Sequence, residues 1–187
     1  MPDAAKPMPQ SEPGQKPAGP ILNIHEIPLL DRPEKQRPQG AAAERYGARI
    51  GLLGQAMGAK KLGYNLTVID PGKRAFPFHN HHANEEMFFI VSGTGQVRFG
   101  DATHDVKPGD VIACPPGGPE VAHQLINTGD QYLKVLSIST HASLDVVDYP
   151  DTGRFGILGD WPGKGGAMPN FAFIGREDDS LPYWDGE

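Results

Sequence analysis

Short runs in which apolar and polar residues alternate recur along the chain from residue 46 onward. The clearest is 86–92, EMFFIVS, where Glu86, Phe88 and Ile90 share one face of an extended chain and Met87, Phe89 and Val91 the other. Comparable runs at 48–56, 62–69, 75–81, 95–99, 102–106, 111–114, 122–127, 132–140 and 144–147 are read as strands. Turn chemistry separates them: Asp70-Pro71-Gly72, Ser92-Gly93, Gly100-Asp101, Lys107-Pro108-Gly109-Asp110 and Asn127-Thr128-Gly129-Asp130. Sustained helical periodicity is absent, and residues 41–46 admit only one short helical turn. Many short strands at this spacing predict an all-β sandwich or barrel.

The flanks differ from this middle. Residues 1–20 are rich in Pro, Gln, Ser, Lys and Glu and bury too little apolar surface to offset the entropy of ordering. The stretch 21–30 is more apolar and suited to docking on a core. Residues 150–187 are rich in Gly and Pro, yet carry Phe155, Trp161, Phe171, Phe173, Tyr183 and Trp184. Disordered tails are poor in aromatics, so this one is expected to pack on the barrel or on a partner subunit. The expected organisation is therefore an extended or disordered arm with a docking segment over 1–45, a barrel over 46–148 and an aromatic, irregular tail over 149–187.

Composition narrows the function classes. The 187 residues carry a net charge of −6 without a basic run, so nucleic acid is not an expected partner. Apolar stretches are far shorter than the ~20 residues that span a bilayer, and no membrane partner is expected. No charged start followed by an apolar run marks a secretory signal. Cys114 is the one cysteine, which excludes an intrachain disulfide and fits a reducing cytoplasm, the expected location.

The candidate chemistry lies in PGKRAFPFHNHHANEEMFFIVSGTG, residues 71–95. His79 and His81 are two apart, so on a strand their imidazoles share a face. Glu86 opens the next run, and if the two strands are neighbours two imidazoles and a carboxylate converge. Neutral imidazole nitrogen and carboxylate oxygen suit one divalent transition metal: Fe, Mn, Ni, Co or Zn. His123, early on a strand after a Pro/Gly-rich loop, supplies a fourth ligand and leaves open positions for water, substrate or dioxygen. His82 and Glu85 face away by the same alternation and are read as rim residues. His25, His104 and His141 lack a partner pattern. Cys114 reads as a small buried apolar residue and Asn127 as a turn-tying amide.

Gly72, His79, His81, Glu86 and Gly93, followed by Gly109, Pro115, Gly117, His123 and Asn127, resemble the paired motifs of the cupin superfamily. Two spacings depart from the usual pattern: six residues rather than five separate Gly72 from His79, and five rather than two separate Gly117 from His123. The resemblance spans roughly residues 48–140 and is nearest to uncharacterised bacterial single-domain cupins. It implies a double-stranded β-helix (jelly-roll) barrel that dimerises. The fold hosts many chemistries, so the site must carry the functional reading. The complete ligand set favours a metal-dependent oxygenase or related oxidoreductase on a small organic substrate, with Glu86 both ligand and catalytic base. The alternatives are a metal-dependent isomerase or lyase on a sugar or small carbonyl compound, with Glu86, Tyr64 or His82 as base, and a small-ligand-binding module without turnover.

Overall fold

A computed structural model describes residues 19–160 and 171–187. The reading of residues 1–18 as an extended arm, and Trp161 among the tail aromatics, lie outside the described residues. The chain is all-β, with two short helices, α1 (Ala41–Arg45) and α2 (Leu53–Ala56). Twelve strands follow in order: β1 (Ala48–Gly51), β2 (Leu62–Ile69), β3 (Asn80–His81), β4 (Glu86–Ser92), β5 (Gly95–Phe99), β6 (Ala102–Val106), β7 (Val111–Cys114), β8 (His123–Ile126), β9 (Leu133–Thr140), β10 (Leu144–Tyr149), β11 (Arg154–Gly159) and β12 (Phe171–Gly175).

A five-stranded antiparallel sheet runs β1-β2-β9-β4-β7. The remaining strands form β6-β5-β8 and β12-β11-β10-β3. Segment 74–79 joins these two through bridges from Arg74 to Ile126 and from His79 to His123. The core lies between the sheets: Ile69, Phe88, Ile90, Leu133 and Val135 from one side meet Val97, Val106 and Leu125 from the other. Gly93, in the turn after β4, has φ +84°, and a Cβ there would lie 2.5 Å from the Tyr132 carbonyl oxygen.

Three strand expectations change. The run 48–56 stops at Gly51, where the chain turns into α2 and buries Leu53 against Leu66 and Val68 on the outer face of β2. The run 75–81 is extended but reduced to β3 and isolated bridges, because Pro77 has no N–H for a ladder. The tail holds β11 and β12, which extend the β10 sheet despite their glycines: Gly156 pairs with Ile174 and Phe155 with Gly175.

The segment after residue 21 covers the outer face of the large sheet. Leu22, Ile24, Ile27 and Leu29 pack on the Leu53, Leu66 and Val68 cluster. Partial burial is worth roughly 1–2 kcal/mol per side chain. Gly51 permits the close approach, since a Cβ there would meet Ile27 at 2.6 Å. Leu30 and Ile50 then exchange two backbone hydrogen bonds of 2.9 Å, carrying the arm round the β1 edge. Among the described residues no helix is long and apolar enough to cross a membrane.

Candidate metal centre

Four side chains of the two motifs meet at one end of the barrel. His79 ends the segment running beside β8, His81 lies on β3, and Glu86 and His123 open β4 and β8. His79 and His123 are tied by reciprocal backbone bonds of 3.2 and 2.8 Å. The long loop before His123 does not displace it. The Gly117 N–H donates to the His81 carbonyl and the Asn80 amide to the Gly117 carbonyl, which anchors that loop to β3.

The Glu86 Oε2 lies 3.9 Å from His79 Nε2, 3.5 Å from His81 Nε2 and 3.0 Å from His123 Nε2. One ligand atom each from His79, His81 and Glu86 falls within a 4.8 Å span. His123 joins through Glu86, its ring 4.6 Å from His79 and 6.4 Å from His81. Phe88 meets His123 edge-on and backs the cluster with core.

The outer nitrogen of each imidazole faces an acceptor. His79 Nδ1 lies 2.8 Å from the Pro77 carbonyl, His81 Nδ1 2.5 Å from Asp145 Oδ2, and His123 Nδ1 3.2 Å from the Val121 carbonyl. These acceptors favour the Nδ1–H tautomer of His79 and His81 and turn their Nε2 lone pairs toward the carboxylate, while His123 has an acceptor at each nitrogen, Val121 at Nδ1 and Glu86 at Nε2. Imidazole nitrogens converging on an anion suit a cation, and hydrogen bonds that fix the tautomer are the usual support of metal-binding histidines. The group His79, His81 and Glu86 could therefore hold a metal, and the donor types fit a first-row divalent ion.

The electrostatics agree with that chemistry. Burial, with His123 adding to it, pushes His79 down to about 4, so it is neutral at pH 7. Burial would lower His81 too, but the hydrogen bond to Asp145 and the charge of Glu86 outweigh it and leave the value raised. Burial would raise Glu86, but the three histidines outweigh it and hold the carboxyl ionised. Asp145 is buried yet held below its ordinary value by His81 and the Ala83 and Asn84 N–H groups.

Other sequence readings find their places. Glu85 is exposed and its N–H donates to Thr140 Oγ1, leaving Glu86 as the inward carboxylate. His82 points outward and pairs with Asp148 at 2.7 Å. Tyr64 packs on the outer face of β2 against the Leu53 cluster. Neither candidate base joins the centre. Burial and the Glu86 charge push the Cys114 thiol up to about 12, unreactive at neutral pH. Asn127 is fully buried and ties its turn: it donates to the Ile69 and Gln131 carbonyls and accepts from the Gly129 N–H.

Sequence reasoning missed Asp145 and Tyr149, both on β10. The Tyr149 ring lies 6.4 Å from that of His79 and near parallel to it. Nothing in LDVVDY separates either residue from an ordinary strand position. The wall beside Glu86 also follows from register. Gly63, Ser139, Glu86 and Cys114 form one cross-strand row, and Asn65, Ser137, Phe88 and Ile112 the next. Among the described residues the Ser139 and Asn65 side chains have no hydrogen-bond partner.

The comparisons with known proteins agree with this architecture. The family model of the cupin domain matches residues 65–139. Residues 65–139 thus carry a cupin domain. The chain is similar to a solved protein of Acidithiobacillus ferrooxidans, provisionally assigned as a sugar phosphate isomerase. Identity is 27% and the TM-score 0.61, covering 72% of this chain and 80% of that one. A sugar phosphate isomerase from Silicibacter pomeroyi shares the fold at TM-score 0.72 and 24% identity, over 89% of this chain and 98% of that one. An uncharacterised protein of Methanocaldococcus jannaschii is 36% identical over 61 residues, a third (33%) of this chain and 46% of that protein's length. The chain thus spans about half the length of that curated relative.

Proposed function

We propose that this cupin is a metal-dependent enzyme acting on a small, oxygen-rich substrate, with His79, His81, Glu86 and His123 as metal ligands. The carrying observation is the convergence of three Nε2 atoms on Glu86 while every Nδ1 is held by an acceptor. A bound divalent ion would supply Lewis acidity to a substrate carbonyl or hydroxyl oxygen. Glu86 is the one carboxylate among the four and serves as the group that takes a proton from the carbon beside a carbonyl and returns it.

Isomerase or lyase chemistry is the favoured class. The free Ser139 hydroxyl lies opposite Glu86 in register, the Asn65 amide sits in the adjacent row on the same face, and the two suit a polyhydroxylated or carbonyl compound. Similarity to the provisionally assigned isomerase of Acidithiobacillus ferrooxidans points the same way. Oxygenase chemistry is the second reading, favoured by a ligand set of three imidazoles and one carboxylate. The test is metal analysis of protein purified without added metal, followed by anaerobic and aerobic incubation with aldose and ketose phosphates and with small oxo-acids. Anaerobic isomerised or cleaved product is the expected result. Turnover that requires and consumes dioxygen would establish the oxygenase instead, and saturable binding without turnover a non-catalytic module. A homodimer is part of this reading, drawn from exposed Phe173, Ile174, Tyr183 and Trp184, and sedimentation of the full chain tests it. A cytoplasmic site of action rests on the lone Cys114.

A further inference from the structure

Arg32 arrives at the candidate centre from the arm, 47 positions before His79 in the chain. Its backbone is pinned on both sides: Leu30 pairs with Ile50, and Arg37 Nε donates to the Arg32 carbonyl at 3.0 Å. The side chain crosses from the β1 edge to segment 74–79, where one N–H donates to the Ala75 carbonyl at 2.7 Å. The guanidinium carbon sits 4.4 Å from the centroid of the Phe76 ring. Phe76 in turn lies 6.2 Å from the His79 ring, and Tyr149, close enough to Arg32 to interact electrostatically, stacks near the same histidine. Arg32 thus stands over Phe76, one of the two rings that flank His79, and near the other, Tyr149, over which Arg154 sits at 5.4 Å.

The charge of Arg32 is unanswered, unlike those of Arg98 and Arg49. Arg98 holds both oxygens of Asp151 at 2.9 and 2.8 Å, and Arg49 lies 3.9 Å from Asp70. Among the described residues Arg32 has no carboxylate partner, although it is partly buried and burial lowers its pKa from the ordinary value. One of the five guanidinium N–H groups is spent on Ala75, and stacking on Phe76 fixes the plane of the rest. A partly desolvated, fixed guanidinium without an anion is the arrangement that recognises a planar or tetrahedral oxyanion.

We infer that Arg32, with Tyr149 beside it, anchors an oxyanion of the ligand, a phosphate or a carboxylate, while the rest of that ligand reaches the His79, His81, Glu86 and His123 centre. Arg32 is a specificity-determining residue in this arrangement, and the inference rests on the metal-centre reading above. The substrate is accordingly an anionic small molecule, and the arm is part of the binding site as well as a cover for the large sheet.

The test loads the full-length protein with Co²⁺ and follows its visible bands while inorganic phosphate or oxalate is added. Wild type is expected to respond saturably to at least one anion, and the tighter of the two identifies the source of the oxyanion. Arg32→Gln keeps a donor for Ala75 and is expected to take up Co²⁺ normally while binding that anion roughly 10- to 100-fold more weakly. Equal anion affinity in Arg32→Gln and wild type overturns the inference. A second readout needs no variant: phenylglyoxal labelling of Arg32 in the wild type, mapped by peptide mass spectrometry. Labelling slowed by the anion supports the inference, and an unchanged rate at saturating anion overturns it. Absence of Co²⁺ bands in wild type is a separate result, which overturns the metal centre itself and the inference with it.

Discussion

His81 and His82 are adjacent in the chain, and each meets an aspartate of β10, yet the two pairs belong to different chemistry. His81 Nδ1 lies 2.5 Å from Asp145, with the two side chains 11% and 1% exposed. His82 Nε2 lies 2.7 Å from Asp148, with 48% and 32% exposed. Strand alternation sends the first ring into the barrel and the second to solvent. Asp145 also accepts from the Ala83 and Asn84 N–H groups and the Asn84 amide, whereas Asp148 adds only a 3.2 Å bond from Asn80. The inner pair is a buried, donor-saturated support that presents Nε2 to Glu86. The outer pair is a solvent-exposed polar contact, a kind worth at most ~1 kcal/mol even when both partners are charged. Residue type and separation are nearly the same in both, so burial and the number of donors on the aspartate make the difference.

The largest effect expected from breaking the inner pair is that of His81→Ala. It removes a proposed ligand, and calorimetric titration with Mn²⁺ or Zn²⁺ should find affinity down by more than about 100-fold, beyond the loss typical of a supporting residue. Undiminished affinity would take His81 out of the centre. Asp145→Asn comes next. Its amide turns a donor toward the His81 Nδ1–H, so the ring loses its fixed tautomer, and metal affinity should fall by roughly 10- to 100-fold. Because Asp145 also caps the 83–84 turn, thermal or urea unfolding of the metal-free variant should show a loss of about 1–3 kcal/mol.

A pH titration of metal affinity sharpens the same contrast. The ligands bind metal only when deprotonated, so affinity falls as pH falls. Burial lowers the His81 value, but Asp145 and Glu86 outweigh it and leave it raised, so proton competition should begin at a higher pH than for an ordinary imidazole. In Asp145→Asn that onset should move to lower pH, and an unmoved onset would detach Asp145 from the electrostatics of His81. The smallest effects belong to the outer pair. His82→Ala and Asp148→Ala should leave metal affinity unchanged, with His82→Ala shifting stability by no more than about 0.5 kcal/mol. A tenfold drop in metal affinity for either would erase the distinction between the two faces.

Much of the centre was legible because its signals are local. His79 and His81 are separated by one residue and Glu86 opens the clearest alternating run, so a period of two predicts their common face. The paired glycines and prolines brought in His123, and the structure brings its Nε2 to 3.0 Å from Glu86. What escaped is non-local. Asp145 is 64 positions from His81, and only the pairing of β3 with β10 brings them together. Tyr64 and His82, attractive as bases by type, fall on outer faces once register is known. The strands β11 and β12 were hidden because their glycines read as loop, and pairing rather than propensity makes them strands.

The sequence by itself determined the all-β class, the alternation that sorts inward from outward side chains and the four converging side chains, because periods and motif spacings are properties of neighbouring residues. The tertiary structure alone decided which groups support those four and what surrounds them. Asp145 behind His81, the Ser139 and Asn65 wall beside Glu86, and Arg32 over Phe76 each depend on strand pairing or arm docking between segments far apart in the chain. Burial and register are set by the whole fold, and they turn one His–Asp pair into a buried support and leave its neighbour on the surface.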